Sequence, residues 1–170
     1  VCRSKERGKE AITKIRKVTG VEPQLFVADM GLMRDVRQLA TALKIQYPKI
    51  NVLLNNVGVL KRYREENAEG RELTWAINHL GPFLLTNLLM DNIKASAPSR
   101  IVNVASGAHK AGHINFDDLE GRQKFRMWSA YSQSKLANIL FTKELVRLTT
   151  AKQFVAYHCS GNSQLVRTSP

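Results

Sequence analysis

Apolar and polar positions in the 170-residue chain alternate between short apolar runs and longer stretches of helical period. Residues 24–29, 51–58, 100–106 and 153–159 are the apolar runs, each read as a buried strand. Val1-Cys2-Arg3 reads as the end of another. Ser4 predicts the cap of a helix running to about Val18, with Glu6 and Glu10 near its start and Lys14, Arg16 and Lys17 near its end. Gly20 stops it. Leu32, Val36, Leu39, Ala40 and Leu43 recur at helical spacing, predicting a helix from Leu32 to Gln46 ahead of Pro48. Arg71 to Ala95 reads as one long helix interrupted near Gly81-Pro82, and Met127 to Thr149 as another. The stretches 61–70 and 107–125 read as charged and polar loops, and the tail to Pro170 as irregular.

Strands alternating with helices predict βαβ units, hence an α/β fold with a doubly wound parallel sheet covered on both faces. No repeat or linker divides the chain, so residues 1–170 form a single domain. Ligands in such sheets sit outside the carboxyl ends of the strands. Arg3, Asp29, Asn55 to Gly58 and Ser106 all fall at such ends.

Composition narrows the classes. With 44% hydrophobic residues the chain is globular. No apolar run reaches membrane-span length. Cys2 and Cys159 fit no metal-ligand or disulfide spacing, as in a reducing compartment. The net charge of +12 suits an anionic partner such as a phosphate-bearing cofactor or an anionic membrane surface. Its cations are not interleaved with aromatics and no nucleic-acid motif is present, so nucleic acid is not the expected partner.

Tyr131 and Lys135 stand four apart at the start of a helix, which puts both side chains on one face. A phenol is a poor proton donor or acceptor at neutral pH. A cation one turn away favours its ionised form, making the pair a general acid/base for an alcohol or carbonyl oxygen. Tyr-x-x-x-Lys alone is a weak signal.

Asn55-Asn56-Val57-Gly58, Ile77-Asn78-His79-Leu80-Gly81, Val102-Asn103-Val104-Ala105-Ser106 and Tyr131-Ser132-Gln133-Ser134-Lys135 occur in order, each at the right element. The chain thereby resembles the short-chain dehydrogenase/reductase family. Asn78 to Leu89, Phe116 to Leu119 and Ser134 to Thr142 resemble its retinol-dehydrogenase-like branch. The resemblance implies a Rossmann-like sheet. It implies that Tyr131 exchanges a proton with the substrate oxygen, that Lys135 lowers its pKa and holds the nicotinamide ribose, and that Ser106 hydrogen-bonds the carbonyl. The backbone carbonyl of Asn78 would fix a water in the proton relay. Asn55, Asn56, Val57 and Gly58 would lie against the adenine ribose, the asparagines also bracing the sheet. Asp29 would meet the adenine amino group, or cap the helix that follows. Arg3, where NAD enzymes carry an acid, favours NADP(H) through its 2′-phosphate, with NAD(H) the alternative.

Two departures stand beside these matches. No glycine-rich phosphate loop is present, so the first strand and first helix of the family are missing and the chain reads as a fragment, with exposed sheet surface. After His158 the family's His-Pro-Gly is broken, and Thr168, the candidate for holding the nicotinamide amide, stands seven residues beyond Gly161, farther than the family spacing. The expected function is an oxidoreductase passing a hydride between NADP(H) and a lipophilic alcohol, aldehyde or ketone of retinoid or steroid type. The alternative is an inactive fragment or pseudoenzyme kept as a binding module, and the fragment alone reads as inactive. The resemblance leaves open a homo-oligomer, and a location in the cytoplasm or on the cytosolic face of the endoplasmic reticulum through regions outside the chain.

Overall fold

The Ser4 hydroxyl accepts the N–H of Arg7 and starts helix α1, Lys5–Thr19. Gly20, at φ 73°, ends it by donating its N–H to the Arg16 carbonyl. The computed structural model describes residues 1–148 and the backbone of 154–160 and 164–167. The strand expected over 24–29 contracts to one parallel bridge, Cys2 with Val27. Two hydrogen bonds make it, Cys2 N–H to Phe26 O and Ala28 N–H to Cys2 O, both 3.1 Å. Among the described residues no ladder joins this pair to the main sheet, so nothing extends it into a longer strand.

Helix α2 is Met33–Gln46 and buries Val36, Leu39 and Ala40. Its cap is not local. The Glu69 carboxylate accepts from Met33 N–H at 2.8 Å and Arg34 N–H at 3.1 Å, reaching back from the charged loop. Asp29, the nearby candidate cap, accepts the Gly31 N–H at 2.8 Å instead. Asn67 in the same loop donates to the Gly31 carbonyl. The loop is therefore folded over the start of α2.

Among the described residues the sheet has four strands in the order β1 Val52–Asn55, β2 Ser99–Val104, β3 Phe154–Ser160 and β4 Gln164–Arg167. The first three are parallel, with Asn55 opposite Asn103 and Asn103 opposite His158. β4 runs antiparallel to β3. Residues 164–167 of the tail expected to be irregular thus form a strand, through antiparallel pairing with β3. The buried strand expected over 51–58 is Val52–Asn55 and is covered on one face only. Leu53 packs on the core, while Val52 and Leu54 on the opposite face are 54% and 56% exposed.

The long helix begins at Leu73 because the Glu72 carboxylate accepts from Thr74 and Trp75 N–H. It runs as α3 Leu73–Trp75, a π-helical turn Ala76–Leu80, α4 Gly81–Leu88 and α5 Met90–Lys94. The expected interruption at Gly81-Pro82 is not a break. The π turn widens the helix just ahead of Pro82, whose ring has no N–H and crowds the preceding turn. Gly81 is needed there, since a Cβ would lie 2.2 Å from the Met30 carbonyl oxygen. The break comes at Leu89 instead, between α4 and α5. Helix α6, Met127–Leu148, completes the layer over the sheet. Val36, Leu39, Leu85, Leu89, Ile101 and Phe141 form the core between these helices and the sheet. Among the described residues no helix is long and apolar enough to cross a membrane.

Replacing Glu69 with Ala should leave two backbone donors at the start of α2 without their partner and cost about 1 kcal/mol of stability. Urea unfolding monitored by circular dichroism measures it; no loss would mean the carboxylate is not the effective cap.

Candidate active site

On α6, Trp128, Tyr131, Lys135, Asn138 and Thr142 follow one another at spacings of three and four, so they share a stripe of the helix. The stripe's first three members face a cleft of about 590 Å³ at the carboxyl ends of β1 and β2. Asn56, Val57 and Gly58 enter it from the turn after β1, and Ser106 from the end of β2. Three segments distant in sequence thereby meet where the parallel-sheet rule expects a ligand.

The Lys135 side chain is almost wholly inside, its residue 4% exposed. Its ammonium lies 5.6 Å from the centre of the Tyr131 ring and donates to the Val104 carbonyl at 3.3 Å. Burial pushes the Lys135 pKa below its ordinary value. Gly58 makes room for it, since a Cβ there would stand 3.3 Å from Nζ. The Ser106 hydroxyl oxygen accepts the Ala108 N–H at 3.3 Å and caps a short 3-10 helix, Gly107–Ala111. That bond occupies a lone pair and leaves the hydroxyl proton to be donated into the cleft.

Asn78 is fully buried and does two jobs. Its side chain pairs with the Val59 backbone, accepting from N–H at 2.7 Å and donating to the carbonyl at 2.9 Å, and also donates to Ser134 Oγ. Ser134 in turn donates to the Tyr131 carbonyl. The turn carrying Gly58 is so tied to the helix carrying Tyr131. The Asn78 backbone carbonyl, within the π turn, accepts from Asn138 Nδ2 at 2.9 Å. A carbonyl has a second lone pair, which leaves room for a water. Asn138 Oδ1 faces His79 Nδ1 at 3.0 Å. Burial lowers the His79 pKa, so the imidazole is neutral at pH 7 and donates from Nδ1.

Asn55 does not line the catalytic cleft. Its Nδ2 donates to Thr86 Oγ1 at 2.9 Å and to Asn103 Oδ1 at 2.7 Å, and Asn103 donates to Thr142 Oγ1 at 3.0 Å. This buried chain braces β1, β2, α4 and α6. Sequence reading missed Asn103, Asn138, Thr142 and Trp128 as site residues. The signal was the stripe on α6, which keeps polar groups on a face otherwise destined for the core.

A second cleft, of about 500 Å³, separates the Cys2–Val27 bridge from β1 and holds Arg3 and Asp29 on one side, Asn55, Asn56 and Val57 on the other. Asn56 and Val57 border both clefts. The Arg3 guanidinium is 73% exposed and 4.0 Å from the Asp29 carboxylate. Thr168 lies outside the described residues. Elsewhere, Arg71 and Arg122 both engage Glu120, and Arg122 and Arg64 engage Glu66, docking the 107–125 loop on the segment before α3.

Replacing Lys135 with Met should remove a buried charge at nearly constant shape and raise stability at pH 7 by about 1 kcal/mol. Since burial lowers the folded-state pKa below that of the unfolded chain, the unfolded chain holds more protons between the two. The wild type therefore gains stability as pH rises through that window, and the advantage of methionine shrinks. Denaturation midpoints of both proteins from neutral to alkaline pH measure this; a variant less stable at pH 7 contradicts it.

Residues 1–160 match the short chain dehydrogenase family. Retinol dehydrogenase 14 of Mus musculus is 43% identical over 157 residues, covering 86% of this chain and 47% of that protein. Human retinol dehydrogenase 11 is 40% identical, covering 99% of this chain and 54% of that protein. The chain spans about half the length of these relatives. Among solved structures, an uncharacterised protein from Mycobacterium paratuberculosis superposes with a TM-score of 0.79 at 34% identity, over 95% of this chain and 58% of that one. A putative short chain dehydrogenase from Escherichia coli CFT073 complexed with NADPH has the same fold, at a TM-score of 0.70 and 23% identity, over 94% of this chain and 64% of that one. With the ordered motifs, the parallel sheet and the stripe on α6 in agreement, the chain belongs to the short-chain dehydrogenase family and to its retinol-dehydrogenase-like branch.

Proposed function

We propose that the protein is an oxidoreductase acting on a lipophilic alcohol, aldehyde or ketone with NADP(H), and that Tyr131 is its general acid/base. The observation carrying this reading is the convergence of Tyr131, Lys135 and Ser106 on one cleft. When bound, the nicotinamide supplies or accepts the hydride. Everything else falls to the chain. Ser106 has a hydroxyl proton to donate to the substrate oxygen, and Tyr131 exchanges a proton with the same oxygen. The Lys135 ammonium, close to the phenol ring and away from water, favours negative charge there. The free lone pair of the Asn78 carbonyl is where a relay water would be held.

The two clefts fit a dinucleotide because Asn56 and Val57 form a common wall between them. Arg3, exposed and beside Asp29, is the candidate for the 2′-phosphate; Asp29 is the candidate for the adenine amino group, and Lys135 for the nicotinamide ribose. Retinol as the kind of alcohol follows the named activity of the relatives, which are twice as long. A second reading, a fold kept for binding without catalysis, is favoured by one observation: His158 is followed by Cys159-Ser160 where the family resemblance implies Pro-Gly.

Following NADPH oxidation with an aliphatic aldehyde separates the two. Tyr131→Phe should lower turnover at least a hundredfold while NADPH affinity, read by titration, stays within about twofold of the wild type. Equal turnover removes Tyr131 from the mechanism; tight NADPH binding with no turnover by the wild type supports the binding module. Arg3→Ala should weaken NADPH by about tenfold or more and leave NADH nearly unchanged, as loss of a charge-assisted phosphate contact requires. Equal weakening of both removes Arg3 from cofactor choice.

A further inference from the structure

The geometry points to Leu60 and Trp128 as the pair that selects the substrate, by clasping its hydrocarbon part at the mouth of the catalytic cleft. This rests on the oxidoreductase reading above and adds to it which residues read the substrate and what they read. Both side chains line the cleft, Leu60 from the segment after β1 and Trp128 from the first turn of α6. Both are apolar and open to solvent, Leu60 at 41% and Trp128 at 60% exposure. Large apolar groups gathered at the rim of a cleft mark a binding surface.

The lining is of two kinds. Asn56, Ser106, Tyr131 and Lys135 supply polar groups. Val57, Val59, Leu60, Ala108 and Trp128 supply apolar ones. A ligand matching that lining has an oxygen and a hydrocarbon body. The indole is also oriented. Trp128 precedes Tyr131 by one turn on the same stripe, and its ring meets the phenol ring edge-on, with centres 6.3 Å apart and planes at 84°. The contact holds the indole beside the phenol on the lining of the same cleft. An aromatic anchored beside the catalytic group binds chain length, not carbonyl reactivity, so its contribution enters KM and grows with the hydrocarbon.

The test compares propanal with dodecanal. Trp128→Ala should lower kcat/KM for dodecanal by about ten- to a hundredfold, through KM, as loss of an aromatic contact predicts. For propanal it should change little, and Trp128→Phe should restore most of the dodecanal value. Leu60→Asp should act in the same direction. A binding measurement needs no turnover. Dodecanal should shift the tryptophan emission of the wild-type chain to the blue in a saturable way, propanal should not, and the shift should vanish in Trp128→Phe but survive in Tyr131→Phe. Equal losses for propanal and dodecanal, or an emission shift that persists without Trp128, overturn the proposal. Failure of the catalytic reading looks different: no aldehyde is turned over, yet the dodecanal emission shift remains.

Discussion

An ammonium group inside the protein is the constraint on which the site depends. Lys135 is nearly inaccessible, and among the described residues no carboxylate pairs with it; burial alone accounts for its lowered pKa. A charge so placed is costly unless its surroundings are polar and closely fitted. The Val104 carbonyl takes one of its protons, the face of Tyr131 lies alongside, and the bare backbone of Gly58 admits its tip. Each of these neighbours comes from a different element. Holding them at fixed separations is therefore the structural task, and an uncompensated cation facing a phenol and a serine hydroxyl is the chemical result.

That task is carried by amides and hydroxyls, not by ion pairs. Asn78 ties the turn of Gly58 to α6, Asn138 secures the Asn78 carbonyl, and the line from Asn55 through Asn103 to Thr142 joins the sheet to the same helix. Every member is buried and partnered, the condition under which a polar network specifies one arrangement and does not weaken the core. The π turn at Ala76–Leu80 belongs to this scheme. It accommodates Pro82 and leaves the Asn78 carbonyl pointing where Asn138 can reach it. The ion pairs, in contrast, lie toward the surface and contribute little each to stability.

The motifs were legible because they are local. Ser4 and Gly20 bound α1 through contacts within four residues, and the four-residue step from Tyr131 to Lys135 is a property of any helix. Family resemblance in the sequence placed Ser106 and Asn78 in the same picture. Less legible were contacts made across the chain. Glu69 caps a helix that begins 36 residues earlier in sequence, so the nearer Asp29 looked the better cap. Residues 164–167 looked irregular because pairing with β3, not local propensity, makes them a strand. Val52 and Leu54 read as interior because an apolar run alone cannot say which face is covered.

Periodicity and short-range capping thus determined that this chain forms helices and strands in alternation, and ordered motifs determined its family, since both are written in neighbouring residues. The tertiary structure alone decided that Lys135 is buried without a counter-ion among the described residues, that Asn138 and Thr142 belong with Tyr131, and that Trp128 stands open at the cleft. Those facts depend on which surfaces meet, and burial, the largest influence on a charge or an indole, exists only once they have met.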